Sequence, residues 1–198
     1  MFTGIIESTG KIESISKEQE NTIIWISSPI SDELKIDQSV SHNGACLTVD
    51  LVKPGHHRVT AVSETLVKTN LGQWRVADEV NLERSMQMNG RLDGHIVQVH
   101  VYTIAECLSV DEKGGSWLYR FKFPYAFASL VIEKGSICVN GISLTLFDIT
   151  NDAFSVAIIP YTFHHTNMRH VRSNQVVNLE FDMIGKYINR IQNLSKPS

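Results

Sequence analysis

Three side chains of this sequence could together perform nucleophilic and acid–base chemistry. Ser39 offers a hydroxyl, Cys46 a thiol and His100 an imidazole. A histidine close to a thiol or hydroxyl is a common way to activate a nucleophile, because imidazoles exchange protons readily near neutral pH. A single cysteine on a strand is nevertheless more often inert than catalytic. Whether the three residues act together depends on the elements that position them.

The surroundings of Cys46 occur twice in the chain. Residues 39–50 read SVSHNGACLTVD, and residues 136–147 read SICVNGISLTLF. Both begin with serine and continue through an Asn-Gly pair to a thiol or hydroxyl, which is Ser143 in the second stretch, and then to Leu-Thr. The repeated plan predicts that each stretch forms the same local structure.

A shift of 97 positions aligns the two halves of the chain beyond these stretches. It pairs residues 39–83 with residues 136–180 without a gap, and 14 of the 45 pairs are identical, against about 3 expected by chance at ordinary composition. The same shift pairs residues 2–4 with residues 99–101. Such self-similarity indicates a tandem duplication, and two copies are too few for a solenoid. We therefore expect two similar small domains related by a pseudo-twofold axis.

Alternating apolar and polar residues predict strands in both halves. The pattern occurs in NTIIWISS, HHRVTAVS, SWLYRFKF, GSICV and AFSVAII, and over residues 94–107 (GHIVQVHVYTIAEC) as one strand. The two Asn-Gly pairs predict tight hairpins, because both central positions of such a turn favour positive φ. Strands that recur about every ten residues favour a small antiparallel barrel. The predicted fold is all-β, with one barrel over residues 1–94 and a second over residues 95–183.

The alternation after each Asn-Gly pair separates the two faces of a strand. Cys46 and Thr48 lie on one face, and Leu47 and Val49 lie on the other. The second copy repeats this arrangement, so each half presents a thiol or hydroxyl together with a threonine. Two interpretations remain open: the polar face forms a ligand pocket, or it is the solvated side of a strand.

The C-terminal residues 184–198 have no counterpart after the first half. Ile184, Ile188, Ile191 and Leu194 stand at helical spacing with polar residues between them, which predicts an amphipathic helix. Such a helix can mediate oligomerisation, for example through a short coiled coil, or it can pack against its own barrel. The sequence favours neither alternative.

Composition and charge narrow the classes of function. The 198 residues are 42% hydrophobic and 20% charged, and the net charge of −3 disfavours nucleic acid and anionic membranes as partners. No apolar run approaches the roughly 20 residues that span a bilayer, and the first residues do not resemble a secretion signal. The three cysteines are widely spaced, and the eight histidines lack the spacing of metal ligands. We expect a cytoplasmic protein without a metal, a disulfide framework, a membrane segment or a nucleic-acid partner.

Several stretches together resemble a known family. They are the opening MFTGII, the two NG-x-[CS]-LT hairpins, SETLVKTNLG, VNLERSM and RLDGHIVQVHV. As an ordered set they resemble riboflavin synthases of the duplicated, α-chain type, over essentially the whole chain. The resemblance implies two similar six-stranded antiparallel Greek-key barrels in tandem and a C-terminal helix. It also implies a homotrimer in which the helices contribute to association.

The same resemblance implies a transferase that dismutates 6,7-dimethyl-8-ribityllumazine. One molecule gives a four-carbon unit to another, which yields riboflavin and 5-amino-6-(D-ribitylamino)uracil, with no cofactor or metal. The active site is expected between the first barrel of one subunit and the second barrel of its neighbour, and association with lumazine synthase is a further expectation. A reaction between two identical molecules suits two homologous pockets, which accounts for a duplicated chain.

Site residues carry over from the family position by position. Ser39, Cys46 and His100 fall on positions linked to catalysis. Ligand contacts of the first pocket are expected at Gly4, Ile5, Ile6, Thr48, Thr60, Ala61, Val62, Ser63, Glu64 and Thr65. Those of the second pocket are expected at Lys134, Ser143, Leu144, Thr145, Ile158, Ile159, Pro160, Tyr161, Thr162 and Phe163. Phe2, Thr3, Val99, Val101 and Asp182 are expected beside these sites.

The chain departs from the family pattern close to His100. Val99 stands where the family usually has glycine, and Tyr102 stands where aspartate is common. The nearest alternative is a lumazine protein, an antenna protein that has the same fold and binds lumazine or flavin without turnover. Because Ser39, Cys46 and His100 are all present, the enzyme is favoured over this alternative.

Overall fold

A computed structural model describes residues 1–194 of the chain. The first half contains β1 (Ser8–Glu18), β2 (Asn21–Ser27), β3 (Ser39–His42), β4 (Ala45–Lys53), β5 (His56–Ala61), α1 (Ser63–Lys68) and β6 (Glu79–Arg84). The second half contains β7 (Thr103–Lys113), β8 (Ser116–Lys122), β9 (Ser136–Val139), β10 (Ile142–Phe147), β11 (Ala153–Ile158), α2 (Pro160–His165) and β12 (Val176–Phe181), and α3 (Met183–Leu194) follows. Short 3-10 helices lie at Ser31–Glu33, Asn70–Gln73, Tyr125–Leu130 and Asn167–His170.

Each half closes into a six-stranded antiparallel barrel. The first has the strand order β1-β2-β5-β4-β3-β6, and the second has the equivalent order β7-β8-β11-β10-β9-β12. Closure comes from the pairing of the first and last strands of each half. Full closure removes the exposed sheet edges that would otherwise pair with other chains. The predicted fold class, two similar all-β barrels and a C-terminal helix, is confirmed.

The two Asn-Gly hairpins form as the sequence predicts. Asn43 and Gly44 have φ of 49° and 78°, and the equivalent Asn140 and Gly141 have 46° and 83°. Along β4 the side chains alternate between the barrel core and the outer face, because successive residues of a strand point to opposite sides. The polar positions of both hairpins are therefore carried on the outside of their barrels.

The hairpins also form the interface between the barrels. A Cβ atom added at Gly44 would lie 2.8 Å from the Gly141 nitrogen, and one added at Gly141 would lie 2.9 Å from the Gly44 nitrogen. Neither glycine position could therefore carry a side chain. Asn81 Nδ2 donates hydrogen bonds to the Asn140 carbonyl at 2.9 Å and to Asn167 Oδ1 at 2.8 Å. Reciprocal contacts of this kind are those expected of two barrels related by a pseudo-twofold axis.

The interior of the first barrel contains a polar chain of hydrogen bonds. His42 and His57 are fully buried, and their Nε2 atoms are 2.9 Å apart. His42 Nδ1 donates to the Val40 carbonyl, so His42 Nε2 accepts from His57 Nε2, and His57 Nδ1 accepts from the Ser31 hydroxyl at 2.8 Å. Burial lowers the pKa of His42 to about 3 and that of His57 to about 4, which keeps both rings neutral.

The core of the second barrel has apolar residues at the two equivalent positions. Val139 replaces His42, and Phe154 replaces His57 under the shift of 97. Phe154 packs at a tilted angle against both Phe121 and Phe123, with ring centroids 5.6 Å and 5.7 Å apart. The two barrels therefore share one architecture, but the first encloses a polar pair where the second encloses apolar side chains.

The predicted single strand over residues 94–107 is wrong in its first part. Strand β7 begins at Thr103, and the preceding segment, residues 95–101, runs between the barrels. Val99 in this segment has φ of 61°, which breaks the extended conformation that the alternating pattern predicts. Valine gives no sequence signal for such a turn, because β-branched residues rarely adopt positive φ.

The C-terminal helix α3 carries exposed apolar side chains on one face. Ile184, Tyr187, Ile188 and Leu194 are more than half exposed. The helix is also tied to its own barrel, since Ser129 Oγ donates to Asn189 Oδ1 at 3.1 Å. The predicted segment 184–198 thus begins one residue inside the helix, and residues 195–198 lie outside the described part. Among residues 1–194 there is no helix with the length and hydropathy to cross a membrane.

Candidate active site

The outer face of the first hairpin gathers four hydroxyl or thiol groups. Ser39 is paired across the hairpin with Thr48, and Ser41 is paired with Cys46. Thr48 is exposed and Cys46 is half-buried, whereas Ser41 is 1% exposed. The sequence therefore predicted correctly that Cys46 and Thr48 share a face, and the register adds Ser39 to it.

The segment of residues 95–101 lies against this first hairpin. The Cys46 N–H donates to the Val99 carbonyl at 3.0 Å, and Val101 packs against the core of the first barrel. His100 lies between them, is exposed, and lines a pocket of about 360 Å³ together with residues of α3. Within residues 1–194 no hydrogen bond joins the side chains of Ser39, Cys46 and His100. The backbone of all three residues lies at or next to the first hairpin, but their side chains are not bonded to one another.

The N-terminal segment lies on the second barrel in the same way. The Ser143 N–H donates to the Gly4 carbonyl at 2.8 Å, and Ile6 packs against the core of the second barrel. The resemblance implied that Gly4, Ile5 and Ile6 border the first pocket. In the structure the two segments cross over, so Gly4 and Ile6 contact the second barrel, and these expected contacts are nearer to the second hairpin than to the first.

The crossing also corrects the alignment of the two segments. Phe2 and Val97 are bonded to each other, with N–H to carbonyl distances of 2.9 Å and 3.1 Å. Gly4 and Val99 both have positive φ, and both carbonyls accept from the hairpin residue that bears a hydroxyl or thiol. These segments correspond through a shift of 95 rather than 97. The counterpart of His100 is therefore the residue after Gly4, not Thr3.

Two buried glutamates hold the crossing segments, and sequence reasoning did not assign them a role. Glu83 accepts from the Thr3 N–H at 2.6 Å, from the Thr3 hydroxyl at 2.8 Å and from the Gly4 N–H at 3.1 Å. Burial raises the pKa of Glu83, although these hydrogen bonds act in the opposite direction. Glu180 holds the other segment in the equivalent manner. The signal was present in the repeated Val-Asn-Leu-Glu stretches of both halves.

His95 is a second residue that sequence reasoning left out of the site. Its Nδ1 lies 2.7 Å from Ser143 Oγ, and its backbone N–H donates to the Thr3 carbonyl. Burial lowers the pKa of His95, and the nearby carboxylate of Asp182 works against this effect. Asp182 also accepts from the Ile184 N–H at 2.9 Å, so it caps the start of α3. A neutral imidazole beside a hydroxyl gives the second pocket its own polar pair.

Most of the remaining expected contacts lie along or next to β5, α1, β11 and α2, whereas Lys134 precedes β9, and Leu144 and Thr145 lie on β10. Val62, Ile159 and Tyr161 are at least 49% exposed and are available to a ligand. Ala61 and Ile158 are fully buried, so only their backbone faces the rim. Residues already engaged elsewhere are Thr60 with Asp50, Glu64 with Lys68, Phe163 stacked on Trp117, and Lys134 above the Phe147 ring. Leu144 packs against the second core, and Thr145 is exposed beside Ser136 on the second hairpin.

A family model for the lumazine-binding domain matches the chain twice. The matched residues are 3–85 and 98–182, one match in each barrel. A riboflavin synthase of Actinobacillus pleuropneumoniae is 39% identical over 199 aligned residues, which cover 100% of this chain and 92% of that protein.

The chain belongs to the riboflavin synthase family.

Further riboflavin synthases agree with this assignment. That of Bacillus subtilis is 39% identical over 96% of this chain and 89% of its own length, and that of Mycobacterium tuberculosis is 36% identical over 96% and 98%. The fold matches crystal structures of LumP, in complex with 6,7-dimethyl-8-(1'-D-ribityl) lumazine and with riboflavin. These chains are 21% identical, with TM-scores of 0.84 and 0.86, and the match covers 92% of this chain and 99–100% of theirs.

Cys46 and Cys138, the cysteines of the two hairpins, lie in different environments. Cys46 is half-buried on the outer face of β4. Cys138 is buried between the barrels with Phe2, Val97 and Val99, and burial raises the pKa of its thiol well above the ordinary value. Only the thiolate is a good nucleophile, so Cys138 is inert. Cys46 is the cysteine of the hairpins that can take part in chemistry.

Proposed function

We propose that this chain is a riboflavin synthase. It combines two molecules of 6,7-dimethyl-8-ribityllumazine by transfer of a four-carbon unit. The products are riboflavin and 5-amino-6-(D-ribitylamino)uracil, whose atoms together account for the two substrates. The C7 methyl group of one lumazine loses a proton, and the other ring is activated by addition at C7. His100 is the proposed proton-transfer group, while Cys46 and Ser39 assist the addition or proton steps.

One observation carries the proposal beyond family membership. The hydrogen bond from the Cys46 N–H to the Val99 carbonyl brings His100 to the hairpin that also bears Ser39. This contact supports the proposal, because the backbone next to His100 is bonded to the hairpin although His100 and Ser39 are 61 positions apart in the sequence. Holding two substrates in a reactive orientation contributes up to about 7–11 kcal/mol in favourable cases, which suits a reaction between two bound rings.

The active site is proposed to form between subunits of a homotrimer. Thr48 and Thr145, on the outer faces of the two hairpins, are exposed in the single chain, and Ile184, Tyr187 and Ile188 on α3 are more than half exposed. Burying these side chains against neighbouring helices would remove apolar surface from water. In this arrangement the first pocket of one subunit faces the second pocket of its neighbour. Removal of residues 184–198 would then lower the mass measured by sedimentation, and an unchanged mass would refute this role of the helix.

Two finer expectations complete the proposal. The free thiols of Cys46, Cys107 and Cys138 suit a reducing compartment such as the cytoplasm. Association with lumazine synthase, which the resemblance implies, would bring a supply of substrate to the pockets. Co-sedimentation of the two purified proteins would test this association.

The decisive experiment follows product formation directly. Purified protein is mixed with 6,7-dimethyl-8-ribityllumazine without added metal or cofactor, and riboflavin is measured by absorbance and chromatography. Catalytic formation of riboflavin and an equal amount of the pyrimidinedione is the expected result. Stoichiometric binding of the lumazine without product would refute the enzyme.

A lumazine- or flavin-binding protein is the second candidate function. The observation that favours it is the close match of the whole fold to LumP, whose structures hold lumazine or riboflavin. Fluorescence of bound lumazine that persists for hours without loss would support this alternative. Multiple turnovers in the same sample would exclude it.

A further inference from the structure

The segment of residues 95–101 is held in a strained conformation. Val99 has φ of 61°, a region that β-branched side chains rarely adopt, and its side chain is 2% exposed. Its counterpart Gly4 has φ of 76°, which glycine adopts without strain. The two halves thus make the same turn, but only the turn next to His100 must be held against a conformational preference.

Glu180 supplies hydrogen bonds on both sides of the strained residue. It accepts from the Gln98 N–H at 2.8 Å and from the His100 N–H at 3.1 Å. The residue is 3% exposed, and burial raises the pKa of its carboxyl group. A buried carboxylate that accepts only two hydrogen bonds is stabilised further by a compensating positive charge.

Lys186 of α3 provides that charge. Its Nζ lies 4.0 Å from Glu180 Oε1, and its side chain is 11% exposed. The same Nζ donates to Gln98 Oε1 at 3.2 Å and lies 4.4 Å above the centroid of the Tyr102 ring. One ammonium group therefore contacts the carboxylate, the strained segment and the ring that stands after it in the chain.

The equivalent glutamate of the first half lacks such a cation. Glu83 accepts three hydrogen bonds from Thr3 and Gly4, and within residues 1–194 no lysine or arginine nitrogen lies within 4.0 Å of it. The Thr3 hydroxyl supplies the third bond in place of a charge. A lysine thus accompanies Glu180, which binds the segment that contains Val99. Among the described residues no lysine or arginine accompanies Glu83, which binds the segment that contains Gly4.

We propose that Lys186 is a positioning residue for His100, acting through Glu180 and the strained backbone at Val99. The inference rests on the proposed riboflavin synthase function for its effect on turnover. It gives α3 a task within its own chain, in addition to any contact between subunits. Lys186 does not need to touch the substrate for this role.

The first test replaces Lys186 in the full-length protein. Lys186→Met keeps much of the side-chain volume and removes the charge. Amide hydrogen exchange at Gln98 and His100 is expected to accelerate about tenfold, because local opening of the segment becomes easier. The kcat for riboflavin formation is expected to fall about tenfold with KM within about twofold, since a small misplacement of a reacting group slows chemistry more than binding. Lys186→Arg is expected to restore both values at least partly.

The matched control lies on the same helix. Asn189→Ala removes the bond to Ser129, so it loosens α3 without touching the segment. It is expected to leave exchange at Gln98 and His100 unchanged. Equal acceleration in Asn189→Ala and Lys186→Met would overturn the proposal, because the effect would then come from the helix as a whole.

A second variant tests the link to backbone strain. Val99→Gly relieves the positive φ, so adding it to Lys186→Met is expected to recover much of the lost exchange protection at His100. Fully additive effects of the two substitutions would overturn the coupling. The exchange measurements need no turnover, so a protein that binds lumazine without making riboflavin would refute the proposed function while this inference is still tested.

Discussion

The two hairpins hold the same pair of residues in opposite places. In the first barrel Cys46 is on the later strand and Ser41 is opposite it, whereas in the second barrel Ser143 is on the later strand opposite Cys138. The exchange leaves Cys46 half-buried on the outer face of β4 and Cys138 buried between the barrels. The two hairpins thus have equivalent backbones, and the strand that bears the cysteine decides whether its thiol is accessible.

The interiors of the barrels differ more than their outer faces. The first encloses the neutral pair His42 and His57, and the second has Val139 and Phe154 in the same places. A polar core with complete hydrogen bonds is tolerated but makes stability sensitive to protonation. The comparison indicates that the first barrel is the acid-sensitive half of the chain.

The largest expected effect is on stability at low pH. Below about pH 6.5 the unfolded chain protonates both histidines, whereas the folded protein resists this until about pH 4 for His57 and about pH 3 for His42. Stability contributed by the neutral pair is therefore full above pH 6.5 and is lost as the pH falls. The free energy of unfolding then falls by up to ~2.7 kcal/mol per pH unit for two protons. The total loss between pH 6 and pH 4 is ~5 kcal/mol. Urea unfolding at several pH values measures it.

The control for this prediction gives the first barrel the core residues of the second. His42→Val combined with His57→Phe is expected to remove the two-proton part of the slope. Should the double variant fail to fold, nitrogen chemical shifts of the two imidazoles in the wild-type protein replace it. Protonation of either ring at pH 5.5 in the folded protein would contradict the prediction.

The second largest effect is on turnover and concerns the first pocket. Cys46→Ser and His100→Ala are each expected to lower kcat about 100-fold, the lower range for loss of a group that acts in proton transfer, while lumazine binding survives. Steady-state kinetics and fluorescence titration with lumazine measure the two quantities. The matched control is Cys138→Ala, which removes the buried thiol of the second hairpin and is expected to keep kcat within about threefold. Full activity in both site variants would refute the assignment.

The smallest effect compares two equivalent asparagines at the interface. The Asn81 side chain makes three hydrogen bonds, to Asn140 and twice to Asn167, and the Asn178 side chain makes two, to Asn43 and Asn70. Because each buried group left unsatisfied costs about 1–3 kcal/mol, Asn81→Ala is expected to lower the free energy of unfolding by about 1 kcal/mol more than Asn178→Ala. Denaturant unfolding of both variants measures the difference. Equal losses would show that the network is symmetric in energy despite its geometry.

The sequence predicted what depends on local patterns. Asn-Gly pairs and alternating residues were enough for the hairpins, the barrels and the shared face of Cys46 and Thr48, because turn chemistry and strand period act over a few residues. The repeated Asn-Leu-Glu stretches marked Glu83 and Glu180, but nothing in them indicates that their carboxylates bind backbone far away. The family resemblance placed His100 at the site, and the sequence alone did not.

The crossing of the segments could not be predicted from pattern. Residues 94–107 alternate like one strand. Val99 interrupts the extended conformation with a positive φ, which its residue type does not signal. The pairing of His42 with His57, and that of His95 with Ser143, joins residues 15 and 48 positions apart through the packing of the folded chain. Such contacts follow from tertiary structure, which local propensities do not contain.

The crossing has a consequence for how the protein is made. The first residues of the chain lie on the second barrel, where the Gly4 carbonyl accepts from Ser143, so they cannot take their final place until that barrel has left the ribosome. The earliest residues synthesised are among the last to dock. Cutting the chain between the barrels would separate Gly4 from Ser143 and Cys46 from Val99, so each half would lose these contacts with the other. A purification tag placed before Met1 would lie close to these contacts, since the Met1 carbonyl accepts from the Met86 N–H, while the same tag after the C-terminal helix would spare them.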